Sequence, residues 1–597
     1  MTTAPTPDVP RQVLFTNKAR CRDCYRCVRV CPVKAIRMHE GQANVVETRC
    51  IGCGTCVREC PQGAKSYRHD LDRAVRLIAS GVPVAVSVAP SFAAAYPAWQ
   101  RRRLPSALRR LGFAYVGETA LGAYHVARQT AAIAAARPER SHICTACPAV
   151  VRYVERYRPE LVEHLVPVVS PMLAHARHIR ARMPGEVRVV FIGPCVAKKA
   201  EAERPEHAGL VDCVLTFAEL DEWFRGEAID LSACEESDFD ETPEGDARLF
   251  PLKGGSVRTS GWSTDLLAGD VVAASGFDNI GTVLDGLLTE GAPRLVEPLF
   301  CSQGCINGPA MIGHRNSFLG RSDVLSYASA QQGRTPEDRI YPELVARFHG
   351  CSADAEPPVT EEQIRHVLEM TGKARDTDQL NCGACGYATC RDKAVAVIRG
   401  MAEPEMCMPH MKRLAEQRVD RIIETSPNGI VILDEHLHIL HMNPAFRRFF
   451  MCSDAVYGQP ISYLFDPEPF ERLASGQEQL VERTVEYRQY NLVCHEILYP
   501  LREERQYVGI LVNVTHSRSS QEKLAHLREQ TVLQARELLE HQIQMAQRLA
   551  QFLGESTAKG EDLVEKLLLL TEEDSSRIAK RDQGNGGQWL RDTYTSK

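Results

Sequence analysis

The sequence predicts a multidomain fold of mixed α/β and α+β class, and three observations lead there. At 597 residues the chain exceeds what one hydrophobic core can organise. Its 22 cysteines fall largely in short-spaced groups rather than being scattered. Between those groups, apolar runs of strand length ("VPVAVSVAP", "VRVVFIGPC") alternate with helical stretches ("AVVRYVERYRPELVEHL"), the pattern of strands layered with helices. An apolar share of 44% and a charged share of 25% fit a globular chain. A net charge of −6 gives no reason to expect nucleic acid.

The opening "MTTAPTPDVPRQ" lacks the apolar core of a secretory signal. Clustered cysteines in such a chain are expected to bind metal rather than pair as disulfides, and the cytoplasm is the expected compartment. Residues 77–100 carry no charge and are long enough to span a bilayer. Pro83, Pro90 and Pro97 interrupt them, however, and the centre "PVAVSVA" reads as a buried strand, so no membrane is expected.

Residues 16–70 hold "CRDCYRCVRVCP" and "CIGCGTCVRECP", each C-x2-C-x2-C-x3-C followed by proline. In this two-cluster ferredoxin pattern the fourth cysteine of each run serves the other cluster. Cys21, Cys24, Cys27 and Cys60 are expected to hold one [4Fe-4S] cluster, and Cys50, Cys53, Cys56 and Cys31 the second. A pair of zinc sites is the alternative. Residues 75–350 are the α/β segment, with sparse cysteines. Residues 355–412 carry Cys382, Cys385, Cys390 and Cys407 as C-x2-C-x4-C-x16-C. Four thiolates suit a [4Fe-4S] cluster or zinc; Gly383 and Gly386 let backbone amides approach sulphur and favour the cluster.

Residues 413–516 lose the cysteine clustering. They read as a short helix, an apolar strand, a turn at Asp434 and Glu435, a second strand and an amphipathic helix, with later strands in "RTVEYRQYNLVCHEILYPL" and "QYVGILVNVT". That order resembles a PAS sensory domain in the elements around Asn428 and Asn443. Over residues 517–574, Leu524, Thr531, Leu538, Met545 and Phe552 recur every seventh position, a stripe suited to dimerisation or a partner helix. A surface helix of the PAS domain is the other reading. Residues 575–597 read as a disordered tail.

Within the α/β segment, "CTACPAV", "GPCVAKKAE" and "LFCSQGCINGP" bring Cys147, Cys195, Cys301 and Cys305 to strand-to-helix junctions, where such folds gather ligands. Together these stretches resemble the catalytic motifs of [FeFe] hydrogenases, T-S-C-C-P-x-W, M-P-C-x-x-K-x-x-E and E-C/V-M-x-C-P-G-G-C-x-x-G-G. The intervening "GFAYVGETALGAYHV", "PVVSPMLAHAR" and "ASGFDNIGTVLDGLL" resemble the family too, so that the likeness covers about residues 16–350. It implies that Cys147, Cys195, Cys301 and Cys305 ligate a [4Fe-4S] cluster, that Cys305 bridges to the diiron subsite of an H-cluster, and that Lys198 pairs with an anionic cyanide ligand there. Cys305 and Lys198 are accordingly the expected catalytic residues.

The chain departs from the catalytic pattern in ways that matter. The family's proton-passing cysteine before the first ligand is Ala146, and its acidic pair falls at Gln129 and Thr130. Gly193 and Leu299 stand at methionine positions, and Ser302 and Gln303 follow Cys301. Fast turnover needs protons delivered with electrons, so these losses predict slow catalysis. With a PAS domain and no kinase signature of its own, the chain resembles the sensory type of [FeFe] hydrogenase. The expected ligand is hydrogen, and the expected output is a signalling partner such as a phosphatase or kinase. A soluble redox protein and a second copy of the chain, joined through the PAS domain and C-terminal helix, are further expected partners. Two rivals remain open: a working hydrogenase exchanging electrons with ferredoxin, and an iron-sulphur redox sensor without the diiron subsite. Cys213, Cys234, Cys351, Cys452 and Cys494 read as ordinary thiols, His436, His438 and His441 as packed or solvated residues with a haem ligand as the alternative, and "RRRLPSALRRL" as a solvated helix face with docking of an acidic redox partner as the alternative.

Overall fold

The computed structural model describes residues 12–183, 185–243, 246–263, 269–289, 291–312, 316–329, 344–351, 358–502 and 504–515. The expected helical segment 517–574 and the tail 575–597 lie outside the described residues. The chain divides into two compact units between Met406 and Cys407. The boundary expected at 412–413 falls inside the helix Met408–Thr425.

The first unit is built around two parallel sheets. One has four strands in the order Tyr115–Glu118, Val84–Val88, Arg188–Gly193 and Cys213–Thr216. The other has three, Val271–Ser275, Leu295–Leu299 and His142–Ile143. Val84–Val88 is buried at all five positions. Helices cover both faces of such a sheet, so its strands read as unbroken apolar runs rather than alternating ones. This is why the stretch that could be mistaken for a membrane span is core. Among the described residues no helix is long and apolar enough to cross a membrane.

The basic stretch does not form a free solvated face. Arg101 is buried and paired with Asp323 at 2.6 Å. Arg103, Arg109 and Arg110 reach Ser232 O, Asp240 and Ala233 O. A guanidinium offers several donors in one plane, so a run of arginines can staple a loop that has no strand of its own.

Two short antiparallel pairs frame the N-terminal cysteine runs: Leu14–Thr16 against Lys65–Tyr67, and Ile36–His39 against Gln42–Val45. A buried ion cluster ties this part to the sheet. Lys199, fully buried, places Nζ 2.9 Å from Asp70 Oδ2, 3.0 Å from both Glu219 carboxylate oxygens and 2.8 Å from Val214 O.

The second unit carries a five-stranded antiparallel sheet in the order Ile439–Met442, Gly429–Leu433, Gln506–Asn513, Leu492–Leu501 and Val481–Tyr487. Asn443 is its pivot. Buried, its side chain accepts from Ile430 N and Phe446 N and donates to Ile423 O and Asn428 O. One amide thereby joins the leading helix, the first strand and the helix Pro444–Phe449. His436 and His438 sit at the turn where Asp434 accepts their backbone N–H groups.

Candidate metal centres

The four central cysteines stand where parallel strands end. Cys147 precedes the helix Pro148–Tyr157, just past His142–Ile143. Cys195 follows Arg188–Gly193, and Cys301 follows Leu295–Leu299. Cys305 opens the turn Cys305–Asn307, held there by its N–H to Pro251 O at 2.8 Å. Both sheets thus direct ligands into the crevice at their carboxyl ends. All four line one cavity of about 100 Å³, with Ala146, Lys198, Phe191 and Leu299 in its wall.

Burial pushes the Cys195 thiol up to about 11, with Cys147 adding to the rise and Lys198 opposing it. Burial drives Cys301 and Cys305 further up, and each also faces the other cysteines of the set. Bare, these thiols stay neutral; a metal that takes the thiolate outright reverses that preference. Four soft, buried sulphur donors therefore fit an iron-sulphur cluster.

Two points of the wall bear on its chemistry. Lys198 lines the cavity and pairs with the acid three positions on in the same motif: Nζ lies 2.7 Å from Glu201 Oε2 and 3.4 Å from Ala146 O. At Gly193 a Cβ would come within 2.8 Å of the Phe191 ring and 3.0 Å of Ala89 Cβ. The space a methionine would need at 193 is taken by Phe191.

Two polar groups here were not singled out from sequence. Glu297, fully buried, accepts from Ser256 N at 3.3 Å and Val257 N at 3.0 Å, yet burial holds its carboxyl up at about 7. It faces both Cys144 and Cys305. Thr119, in the cavity wall, is 2.7 Å from Ser87 Oγ, which is 2.8 Å from His175 Nδ1; burial presses that imidazole down to about 3. Glu297 sits four positions before Cys301, on the strand that delivers it, at the place of the acid that opens the third motif, and that correspondence was the signal available in the sequence. Gln129 lies in the helix Ala120–Ala136 with Thr130, which is buried.

The N-terminal cysteines stand close to one another. Burial pushes Cys27 up to about 11, and its thiol neighbours are Cys24, Cys21 and Cys60. Burial likewise raises Cys53 to about 12 beside Cys31 and Cys50, and Cys56 beside Cys53, Cys50 and Cys31. The two halves repeat each other: Ala35 N donates to Cys31 Sγ and Ala64 N to Cys60 Sγ, both at 3.2 Å. Backbone donors aimed at sulphur fit clusters whose sulphurs carry charge. Among the described residues no three such side chains converge as they would on a single metal ion.

The second run is docked on the central site. Gly54, beside Cys53, has φ +74 and would place a Cβ 2.6 Å from Pro309 Cγ, so only glycine allows this approach. Cys53 consequently faces Cys301. Arg156, on the helix that follows Cys147, donates to Glu47 O, Thr48 O and Cys50 O at 3.0, 2.7 and 2.9 Å.

Of the third set, Cys382 and Cys385 lie in the loop before the helix Cys390–Ile398, and Lys373 Nζ approaches Cys390 Sγ at 3.3 Å. Cys407 opens the second unit, preceding the helix Met408–Thr425.

Comparison with known proteins matches this architecture piece by piece. Residues 82–309 match the family described as "Iron only hydrogenase large subunit, C-terminal domain". Residues 14–61 match a 4Fe-4S dicluster domain, 378–409 a family described as "Putative Fe-S cluster", and 417–485 a PAS domain. The chain is 27% identical over 366 residues to the periplasmic [Fe] hydrogenase large subunit of Nitratidesulfovibrio vulgaris, covering 50% of this chain and 86% of that one. It is 27% identical over 297 residues to the cytosolic Fe-S cluster assembly factor NAR1 of Eremothecium gossypii, covering 38% of this chain and 64% of that one. It spans only 17% of the corresponding factor of Vanderwaltozyma polyspora. Among solved structures, the Chlamydomonas reinhardtii [FeFe]-hydrogenase HydA1 shares 18% identity at a TM-score of 0.37, covering 48% of this chain and 100% of that one. The chain therefore joins a dicluster ferredoxin-like domain, an iron-only hydrogenase-like α/β domain and a PAS domain.

Proposed function

We propose that this chain is a sensory, hydrogenase-like iron-sulphur protein of the cytoplasm that detects hydrogen or redox state and relays it through clusters and the PAS domain to a signalling partner. The observation that carries the reading is one cavity in which Cys147, Cys195, Cys301 and Cys305 meet while Ala146 and Leu299 complete the wall. The thiols keep the means of holding a [4Fe-4S] cluster; the residue that would hand protons on is a methyl group.

A diiron subsite joined to Cys305, when bound, would supply heterolytic splitting of hydrogen. The chain's own residues then determine the rate. Ala146 relays no proton. Glu297, held near neutrality by burial, can keep a proton on its carboxyl close to Cys305. Lys198 divides its charge between Glu201 and whatever anion enters the cavity. The apolar remainder of the wall keeps water out and strengthens each of these interactions. Cys53, facing Cys301, offers the exit for electrons.

A second reading is an iron-sulphur redox sensor without the diiron subsite. The likeness to assembly factors named NAR1 favours it. Infrared spectroscopy decides between the two on the full chain, purified without oxygen after co-expression with maturation proteins. Iron-bound carbon monoxide and cyanide bands that shift between hydrogen and argon are expected. Intact cubane clusters without such bands would overturn the hydrogen reading in favour of the second.

A further inference from the structure

The loop carrying Cys382 and Cys385 is clamped onto the short helix Arg26–Val30 that joins the two ferredoxin-like ligand groups. Arg29 donates through Nη1 to Ala384 O at 2.9 Å and through Nη2 to Cys24 O at 3.0 Å. Lys34 Nζ donates to Gly386 O at 2.7 Å and, on the ferredoxin side, to Val28 O at 3.1 Å and Arg29 O at 3.2 Å. Gly386 has φ +93, and a Cβ there would lie 2.8 Å from Val28 Cγ1 and 3.1 Å from Arg29 N, so the loop seats only because it is bare. Tyr387 is buried in the seam, with Lys34 Nζ 5.9 Å from its ring centre. Cys31 and Cys385 are the thiols that face the Lys34 charge from either side.

We propose that Lys34 is an electrostatic bridge between the cluster at Cys31, Cys50, Cys53 and Cys56 and the cluster of the Cys382 loop, so that the former is the branch point from which electrons pass from the central site to the third one. The inference rests on the cluster reading of the third site. With both clusters bound, one electron would leave the cluster at Cys31, oxidising it, and enter the cluster at Cys385, reducing it, with no bond or proton moved. Its source is hydrogen in the proposed function and dithionite in the test. The ammonium favours the more negative, reduced state of both clusters. The cluster at Cys21, Cys24, Cys27 and Cys60 is then a side branch.

The test is a redox titration of the full, cluster-loaded chain followed by electron paramagnetic resonance. Lys34→Met is expected to make reduction of both neighbouring clusters about tenfold less favourable, equivalent to about 59 mV for a one-electron couple. Lys34→Arg is expected to restore both. Lys65→Met, whose ammonium faces Cys27 and Cys56 instead, should leave the third cluster unmoved. In the unmutated protein, simultaneous reduction should broaden both signals through spin coupling, a readout that does not depend on a variant folding. The bridge is overturned if the third cluster titrates unchanged in Lys34→Met, if methionine and arginine behave alike, or if the signals show no coupling. Zinc in place of iron at the third site also overturns it, and metal counting distinguishes that failure of the cluster reading from failure of the bridge.

Discussion

Replacing Glu297 by glutamine should stabilise the protein at alkaline pH and have much less effect in acid. The fully buried carboxyl sits at about 7 instead of its ordinary 4.5, because burial outweighs the backbone N–H groups that favour its charge. Its folded value is raised, so the neutral form is the one the fold prefers. Below 4.5 both folded and unfolded states hold the proton and there is no penalty. As pH rises through the interval up to about 7 the unfolded state ionises first, and stability is lost. The shift is worth about 3 kcal/mol once both states are ionised, and under about 1 kcal/mol near pH 5. Glutamine cannot ionise and keeps an oxygen for Ser256 N and Val257 N, so it should recover most of that loss. A negatively charged cluster on Cys305 would push the carboxyl further in the same direction. Urea unfolding of the cluster-loaded full chain at about pH 5 and pH 8, without oxygen, measures the difference. An advantage for the glutamine variant that is equal at both values, or an advantage for wild type at the higher one, would refute a carboxyl held neutral by burial.

Two further outcomes follow from buried polar groups elsewhere. Lys199→Met leaves Asp70 and Glu219 facing each other without their cation, and should cost about 3–5 kcal/mol in urea unfolding; a loss below about 1 kcal/mol would mean the carboxylates find other partners. Asn443→Ala strands Ile430 N and Phe446 N along with two carbonyls in the second unit. It should lower that unit's unfolding transition by about 2 kcal/mol or more while iron content stays constant.

Much of this was legible because metal ligation leaves a spacing in the sequence. The doubled C-x2-C-x2-C-x3-C runs fall within the matched 4Fe-4S dicluster domain, and the fold repeats the same amide-to-sulphur bond at Cys31 and Cys60. The turn, strand and helix order around Asn443 was equally readable, since a capping asparagine before proline is a local signal. What was not legible depends on contacts distant in sequence. The spacing from Cys195 points to Lys198, which lines the cavity, but nothing in "VAKKAEAE" marks Lys199 as a buried structural cation. Arg101 looked like surface charge, because the aspartate that buries it lies far along the chain at position 323. Glu297 stands at the acid that opens the third motif, but that it is fully buried in a strand of five buried residues shows only in the fold.

Gly193 teaches the same lesson from the opposite side. In sequence it looks like a lost methionine and so a weakened site. In the structure it is one half of an exchange, because the Phe191 ring reaches into the cavity wall and stands 2.8 Å from where a Cβ at 193 would be. The two positions should therefore be energetically coupled. Gly193→Ala alone forces the ring or strand to move and should cost about 1–3 kcal/mol. Phe191→Leu alone removes buried contacts and should cost about 1–2 kcal/mol. With leucine at 191 the clash at 193 is relieved, so the double variant should be more stable than the sum of the two losses implies, by about 1 kcal/mol or more. Urea unfolding of the four proteins measures this coupling directly. Additive losses would mean that the ring does not hold the vacated space, and Gly193 would then count as a simple loss.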